Sequence, residues 1–292
     1  MEQPREHQPV KGVLLVASAL FFLATMDAAT KFLSQSMAVP LLLGIRYGVT
    51  ALLVVGVFLP RVGLAGFRTR RTGLVVLRSL CLVTSSLVFA TGLKSIGLAE
   101  ATSIVFTGPI LLMFAGRAFL KETIGILGWI AAVLGFAGVL LVVRPGGGVD
   151  LTGAMLVAVS SALSAVYHLM SRTLARTETT VAMMVYANVI GAVVFGSTVP
   201  GLWPAEGLTG AQIGLLAVSG VLAAVGHFMI TAAYRYAPAS LLAPANYVQL
   251  LWTVLLGLVV FGTVPDALAA LGMLAIAAAG LLTAFRARLQ AS

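Results

Sequence analysis

Three ionisable side chains lie inside apolar runs near the start of this chain: Asp27, Lys31 and Arg46. Asp27 and Lys31 are four apart, hence on one face of a helix and able to pair. At about 1.5 Å per residue, Asp27 is roughly 23 Å into its run and Arg46 about 10 Å into the next. Such groups are costly in an apolar span and face a protein interior or a wet cavity. Together they carry +1, enough to attract a carboxylate. The competing reading is an ion network tying two spans, with Lys31 reaching for the interface. His168 and His227 titrate near neutral pH and, with Asp27, are the proton-coupling candidates. Local hydrogen bonding with Ser164 and Thr231 is the plainer role for the two histidines. Without neighbouring Cys or carboxylates they make no metal site.

A second group lies around a proline inside an apolar run, Pro238 to Trp252. Pro244 lacks an N–H and disturbs the carbonyl four residues back, leaving it for a ligand or a neighbour. Asn246 and Gln249 follow on one face, with Tyr247 and Trp252 beside them. Amides satisfy an ammonium or a carboxylate without burying net charge, and aromatic faces take a cation or stack a ring. Gly108-Pro109 breaks an apolar run in the first half in the same way, where Lys94 to Glu122 runs against Arg235 to Thr263. Matched interruptions in two halves of a chain point to a transport site. Gly108, Pro109, Pro238 and Pro244 are therefore the hinge candidates. Tyr167, Asn188 and Ser85, with Ser86 and Tyr186, are weaker lining candidates, since interface belts and small-residue packing explain many such residues. Arg78 and Arg117 sit near span ends and are expected to reach lipid headgroups.

The elements that must position these groups follow from composition. The chain has 292 residues, 60% hydrophobic and 9% charged, too few charges to cover a soluble surface. Apolar runs of roughly 20 residues recur throughout, the length that crosses the hydrocarbon of a bilayer. Ten helical spans are predicted. The first five, in residues 1–148, are 12–33, 39–59, 73–93, 98–120 and 124–143. The second five, in residues 149–292, are 152–172, 180–200, 211–234, 239–261 and 266–285. Pro60 and the Arg144-Pro145-Gly146-Gly147-Gly148 linker read as stops. The run from Arg5 and Lys11 to about Phe32 is too long for a signal core and reads as an uncleaved span. The net charge of +9 is topology signal, not a nucleic-acid footprint, because the basic residues sit in short loops. They concentrate in alternate loops, which puts both termini in the cytoplasm. Cys81 is alone, so no intrachain disulfide forms.

Five spans per half is an odd number, so repeated halves insert in opposite senses, about an axis in the membrane plane. The ordered motifs Met26-Asp27-Ala-Ala-Thr-Lys31, Arg46-Tyr47, Gly-Leu-Lys94-Ser-Ile-Gly-Leu-Ala-Glu100-Ala, Pro109 and Leu120-Lys121-Glu122 run through the first half. Ala-Tyr234-Arg235-Tyr236-Ala-Pro238-Ala-Ser240-Leu-Leu-Ala-Pro244 runs through the second. In these the chain resembles the drug/metabolite transporter superfamily, in its ten-helix amino-acid-metabolite-efflux type, and within that the aromatic amino-acid exporter group. Thr263 departs from the pattern, standing where the half-ending motif usually carries Glu. The resemblance implies a bacterial inner-membrane exporter of amino acids, aromatic and other neutral ones first, or related metabolites.

The sequence therefore predicts an all-α integral membrane protein of two inverted five-helix repeats, working as a monomer by alternating access on a small-molecule substrate within the lipid bilayer. No cofactor, metal or nucleic acid is expected, and no enzyme motif or nucleotide loop is present. Proton-coupled export of lipophilic drugs is the alternative function, and a channel the next. A channel calls for a ring of like polar groups and oligomeric symmetry, whereas one chain here already carries an internal two-fold pseudo-symmetry.

Overall fold

Backbone in hydrocarbon must satisfy its own hydrogen bonds, so apolar runs of this length fold as helices. The computed structural model describes residues 9–108, 110, 111, 114, 126–143, 149–174, 177–233, 236 and 243–291, and among these there is no strand. The first half contains α1 (Pro9–Ser34), α2 (Val39–Val62), α3 (Thr72–Leu93), α4 (Leu98–Val105) and α5 (Ile126–Val143). The second contains α6 (Leu151–Leu174), α7 (Thr180–Gly196), α8 (Gly210–Ala233), α9 (Val248–Phe261) and α10 (Ala267–Ala291). Short helical turns add Val199–Leu202 and, as 3₁₀ helices, Leu64–Phe67 and Ala243–Tyr247. Among the described residues, six helices are long and apolar enough to cross a membrane: α1, α2, α3, α5, α6 and α8. Shorter apolar helices occupy Thr180–Gly196, Ala245–Phe261 and Ala267–Leu282.

Two expected stops move. Pro60 does not end α2: the helix runs past it to Val62 and stops at Gly63, whose φ of 60° turns the chain and whose N–H reaches the Leu59 carbonyl at 3.0 Å. The last helix also continues beyond residue 285, to Ala291. At the end of α9, Gly262 adopts φ 65° and the Thr263 N–H and hydroxyl both reach the Gly257 carbonyl, at 3.0 and 3.1 Å. Thr263 is thus a helix cap, a task its hydroxyl performs without the charge of a Glu.

The principal packed pairs are α1 with α8, α3 with α6, α2 with α7, α5 with α10, α2 with α8, α3 with α7, α1 with α9, α4 with α9 and α4 with α6. Replacing each helix by the one five places along returns the same set. Close approach in lipid needs small side chains. A Cβ on Gly92 would lie 2.6 Å from the Gly153 carbonyl oxygen, and one on Gly138 2.7 Å from that of Gly272, so α3–α6 and α5–α10 touch backbone to backbone. Outward positions are apolar and exposed, such as Leu52, Val133 and Val259, as contact with acyl chains requires.

Loop contacts sort into two faces. On one, Glu178 joins the loop after α6 to the loop after α2 through the Arg70 and Arg71 N–H groups, both at 2.9 Å. Lys11 lies 4.2 Å above the Tyr236 ring on the same face. On the other, Gln35 reaches the Lys94 carbonyl at 2.9 Å, and Gln212 reaches Ser36 at 3.4 Å. The first is called the N-terminal face below.

Candidate functional site

The two interrupted helices meet. α4 ends at Val105, and Phe106 and Thr107 form a turn; α9 starts only after the 3₁₀ stretch Ala243–Tyr247. The Phe106 and Tyr247 rings stack at 4.9 Å with 32° between their planes. Their separation along the chain is the one that relates Lys94 to Arg235, so they are equivalent positions of the two halves. The α4 turn is held to α6 by hydroxyls: Ser161 donates to the Val105 carbonyl at 3.2 Å and meets Thr107 at 3.3 Å. Gly108 packs beside Ser161. Pro109 and Pro238, two of the hinge candidates, lie outside the described residues, as does the Ser240 carbonyl that Pro244 is expected to free. Pro244 itself lies in the 3₁₀ stretch.

Just beyond, Trp252 donates its indole N–H to the Ala17 carbonyl at 3.1 Å and meets Phe21 edge to face at 5.1 Å. That pins α9 to α1. Asn246 and Gln249 are half-buried, and no hydrogen bond joins either amide to another described residue.

Toward the face opposite the N-terminus, Asp27 and Arg46 are both buried, each 9% exposed, and within electrostatic range of each other. Arg46 donates to the Thr30 hydroxyl at 3.2 Å. Beside it the Tyr47 hydroxyl meets Ser86 at 2.8 Å, and Thr50 ties α2 to α8 through the Gly220 carbonyl at 3.1 Å. Lys31 does not pair with Asp27. Its ammonium instead reaches the Leu93 and Ile96 carbonyls, at 3.0 and 2.5 Å. The end of α3 offers carbonyls without helical partners and the negative end of a dipole, and the long lysine stem spans to them. The expected trio is therefore a couple, Asp27 with Arg46, and a separate clamp.

A cluster that sequence reasoning missed lies toward the N-terminal face. Arg78, expected among headgroups, is 5% exposed. Its Nε donates to Ser171 at 2.6 Å, one terminal nitrogen to Tyr167 at 2.8 Å, and the other to the Met183 carbonyl at 3.2 Å. The guanidinium also lies 4.3 Å from the centre of the Tyr167 ring. The reason is position: a turn and a half into α3, Arg78 is too deep to reach water and turns to the hydroxyls of α6. The usable signal is Tyr167 and Ser171, four apart on α6 and both polar. Ser85 is spent on helix packing, its hydroxyl meeting Ser160 and Ser164 at 2.9 and 2.8 Å. The Asn188 amide turns back to the Met184 carbonyl at 2.9 Å.

His168 and His227 join the two clusters. On α8, His227 shares the face of Leu216, Gly220 and Ala223; on α6, His168 shares that of Val157, Ser161 and Ser164. Both spacings are those of one helix stripe turned inward. Both histidines nevertheless keep exposed surface, whereas Leu216 and Val157 have none. α6 and α8 are not a principal packed pair, yet the histidines lie within electrostatic range of each other, His227 also of Arg46, and His168 of Arg78. Accessible side chains on inward stripes of helices that do not pack on each other are what a hollow between them would leave. Asp27, Arg46, His227, His168 and Arg78 thus form a series in which each group lies within electrostatic range of the next. Among the described residues no group of three His, Cys, Asp or Glu is placed to hold a metal ion.

Comparison with known proteins agrees with this architecture. The EamA-like transporter family matches residues 10–144. A riboflavin transporter of Rhizobium johnstonii is 28% identical over 277 residues, covering 93% of this chain and 90% of that protein. A riboflavin transporter of Vibrio cholerae is 25% identical over 266 residues, covering 89% and 88%. An S-adenosylmethionine uptake transporter of Rickettsia bellii is 25% identical over 200 residues, 68% of each chain. A solved crystal structure superposes with TM-score 0.65 at 19% identity, over 96% of this chain and 99% of the other, and so shares the fold. The chain is thus similar to the EamA-like transporter family over its first half and to bacterial transporters over most of its length.

Proposed function

We propose that this chain is a secondary transporter that carries a small, ring-bearing polar metabolite through the hollow between α6 and α8 by alternating access. The observation that carries this is the buried Asp27–Arg46 couple facing accessible histidines in a membrane interior. A carboxylate beside a guanidinium offers an acceptor and donors side by side, and Arg46 has four N–H groups beyond the one on Thr30. Charged groups so placed serve passage of a polar solute. Asn246 and Gln249, with amides not tied to described neighbours, and the stacked Phe106–Tyr247 pair supply polar and flat aromatic wall.

Riboflavin is the first solute to consider. It has a flat ring system edged with carbonyls and N–H, and relatives named for it span nine-tenths of this chain. Export of aromatic or other neutral amino acids is the second, favoured by the couple itself: Arg46 matches a carboxylate and Asp27 an ammonium. The exchange symmetry of the helix pairs supports two inverted repeats, residues 1–148 and 149–292, as the moving parts. The basic loops of the N-terminal face support cytoplasmic termini in a bacterial inner membrane, and a hollow within one chain supports a monomer.

Counterflow in proteoliposomes tests the proposal. Vesicles bearing purified protein are loaded with riboflavin, S-adenosylmethionine, phenylalanine or a polar control sugar, with and without a pH gradient. Saturable exchange of riboflavin, or of phenylalanine, is expected. Linear, non-saturable leakage of every solute, or exchange of none, would overturn it.

A further inference from the structure

Arg78 is a buried cation with no anion paired to it among the described residues. Its three bonds end on a serine hydroxyl, a tyrosine hydroxyl and a backbone carbonyl, all neutral, and no carboxylate among the described residues forms an ion pair with it. A charge taken out of water in this way is retained at a cost unless a counter-charge or strong acceptor meets it. Two of its five N–H groups remain.

Its place in the fold is not arbitrary. The offset from Lys94 to Arg235 also carries Thr30, the partner of Arg46, onto Ser171, which Arg78 approaches most closely, and Asp27 onto His168. The same offset holds in packing, where it carries the start of α2 onto that of α7 and the start of α5 onto that of α10. Ser85 meets the Ser160 carbonyl and Ser164; at the equivalent place Gly226 packs on the Ala19 carbonyl and Leu23. A hydroxyl at the equivalent position of each half, Thr30 in the first and Ser171 in the second, thus meets a buried arginine, and both arginines come from the first half. Arg46 comes from α2 and Arg78 from α3, yet both converge on the equivalent turn of α1 or α6. The surroundings differ in one respect: the Arg46 site contains a carboxylate, and the Arg78 site has Tyr167 and His168 in its stead.

We propose that Arg78, Tyr167 and Ser171 form a second solute-anchoring site, in the membrane half next to the N-terminal face, that binds an oxygen acceptor of the transported solute, its carboxylate or its ring carbonyls. This rests on the transport reading above and adds a site to it. When the hollow opens to one face, the acceptor group is held by Arg46; when it opens to the other, by Arg78. Donors without a carboxylate favour the acceptor end of a solute and offer nothing to an ammonium, so the two sites hold different parts of a zwitterion.

The test measures half-saturation from each face in vesicles of fixed protein orientation, with radiolabelled riboflavin and, separately, phenylalanine. Wild type is compared with Arg78→Gln, Arg78→Lys and Tyr167→Phe. Arg78→Gln raises half-saturation about tenfold or more at the N-terminal face and leaves the opposite face unchanged, as expected for loss of a charge-assisted hydrogen bond. Arg78→Lys keeps the charge, loses the fork and gives a smaller rise at the same face. A residue that merely biases the two conformations moves the two values in opposite directions, since it shifts populations and not contacts. That pattern, or no change at the N-terminal face, overturns the proposal. If Arg78→Gln does not fold, Tyr167→Phe decides: it removes one hydroxyl, keeps the ring under the guanidinium, and must raise the same value. The phenylalanine arm reports a carboxylate and the riboflavin arm ring carbonyls. Exchange of neither by wild type defeats the transport reading itself, before any variant is measured.

Discussion

Replacing Lys31 by Met separates a clamp from a solute ligand. Most of the lysine stem is kept and the ammonium is removed. In the structure that ammonium bonds the Leu93 carbonyl at 3.0 Å and the Ile96 carbonyl at 2.5 Å, where α3 turns toward α4. Each bond to a charged group is worth about 1.5–3 kcal/mol net. Lys31 is half-buried, so the lower figure applies, giving about 3 kcal/mol for the two. The cation also lies 5.6 Å from the Phe261 ring, a contact too long to add much. At about 2–4 °C per kcal/mol for a chain of this order, melting falls by about 6–12 °C. The assay is thermal unfolding in detergent followed by tryptophan fluorescence, with half-saturation for transport measured on the same preparation below its melting range. Lys31→Met is expected to melt early and to keep its half-saturation; Lys31→Arg restores most of the stability. If Lys31→Met melts with wild type while half-saturation rises, Lys31 belongs to the solute and the clamp assignment is wrong.

Two further outcomes follow from contacts away from the hollow. Burial raises the Glu178 carboxyl, but the N–H groups of Arg70 and Arg71 and the Thr177 hydroxyl outweigh it and hold the group below the usual carboxylate range. A group depressed in the folded state stabilises above its unfolded value of about 4.3, and that contribution is lost as pH falls through the folded value. Wild type is therefore expected to lose melting temperature below about pH 4.3, and Glu178→Gln to start lower and lose less over that window; parallel pH curves would contradict this. Gly92→Val places a side chain against the Gly153 carbonyl and Val157, and overpacking of this kind costs about 1–3 kcal/mol. Gly56→Ala, with nothing within 4 Å, is the control and is neutral or mildly stabilising. Equal melting of the two variants would mean that α3 and α6 do not touch as described.

Much of the frame is legible in the sequence because hydropathy and turn residues act locally. The helices α1 to α3 and α5 to α8 fall within a few residues of the predicted spans, and the interruptions in α4 and α9 are readable from Gly108 and Pro244. What is not legible is which way a long side chain turns. Lys31 and Asp27 share a helix face, and nothing local says that α3 presents its carbonyl end to one of them. Arg78 looks like a headgroup anchor until α6 is placed beside α3 with Tyr167 and Ser171 facing it. Trp252 looks like a ring-stacking wall until the Ala17 carbonyl is found to take its N–H. Contacts of this kind join helices far apart in sequence, as the Arg78–Ser171 and Trp252–Ala17 bonds do. The histidines are legible as candidates but their neighbours are not: the sequence offers Ser164 and Thr231, while lateral packing brings His227 within range of Arg46 and His168 within range of Arg78.

An inverted repeat supplies two conformations of nearly equal energy without any residue being assigned to the task, because exchanging the shapes of the halves restores a similar set of contacts. In the alternation proposed for this chain, positions that stay alike under the exchange, such as Val16 with Val157 and Phe106 with Tyr247, would serve both conformations equally. Direction and specificity must then reside where the halves differ. Among those positions are Asp27 against His168, Arg46 against Ala187, Arg78 against Ser219, and Trp252 against Leu111. Three of the four pairs contribute a group to the series from Asp27 to Arg78, and the fourth fixes α9 to α1. A variant that makes the halves more alike, such as His168→Asp, should therefore alter the balance between the two faces more than it alters folding. Side-resolved exchange reads that balance, and an unchanged ratio of half-saturation at the two faces would show that the asymmetry is incidental to transport.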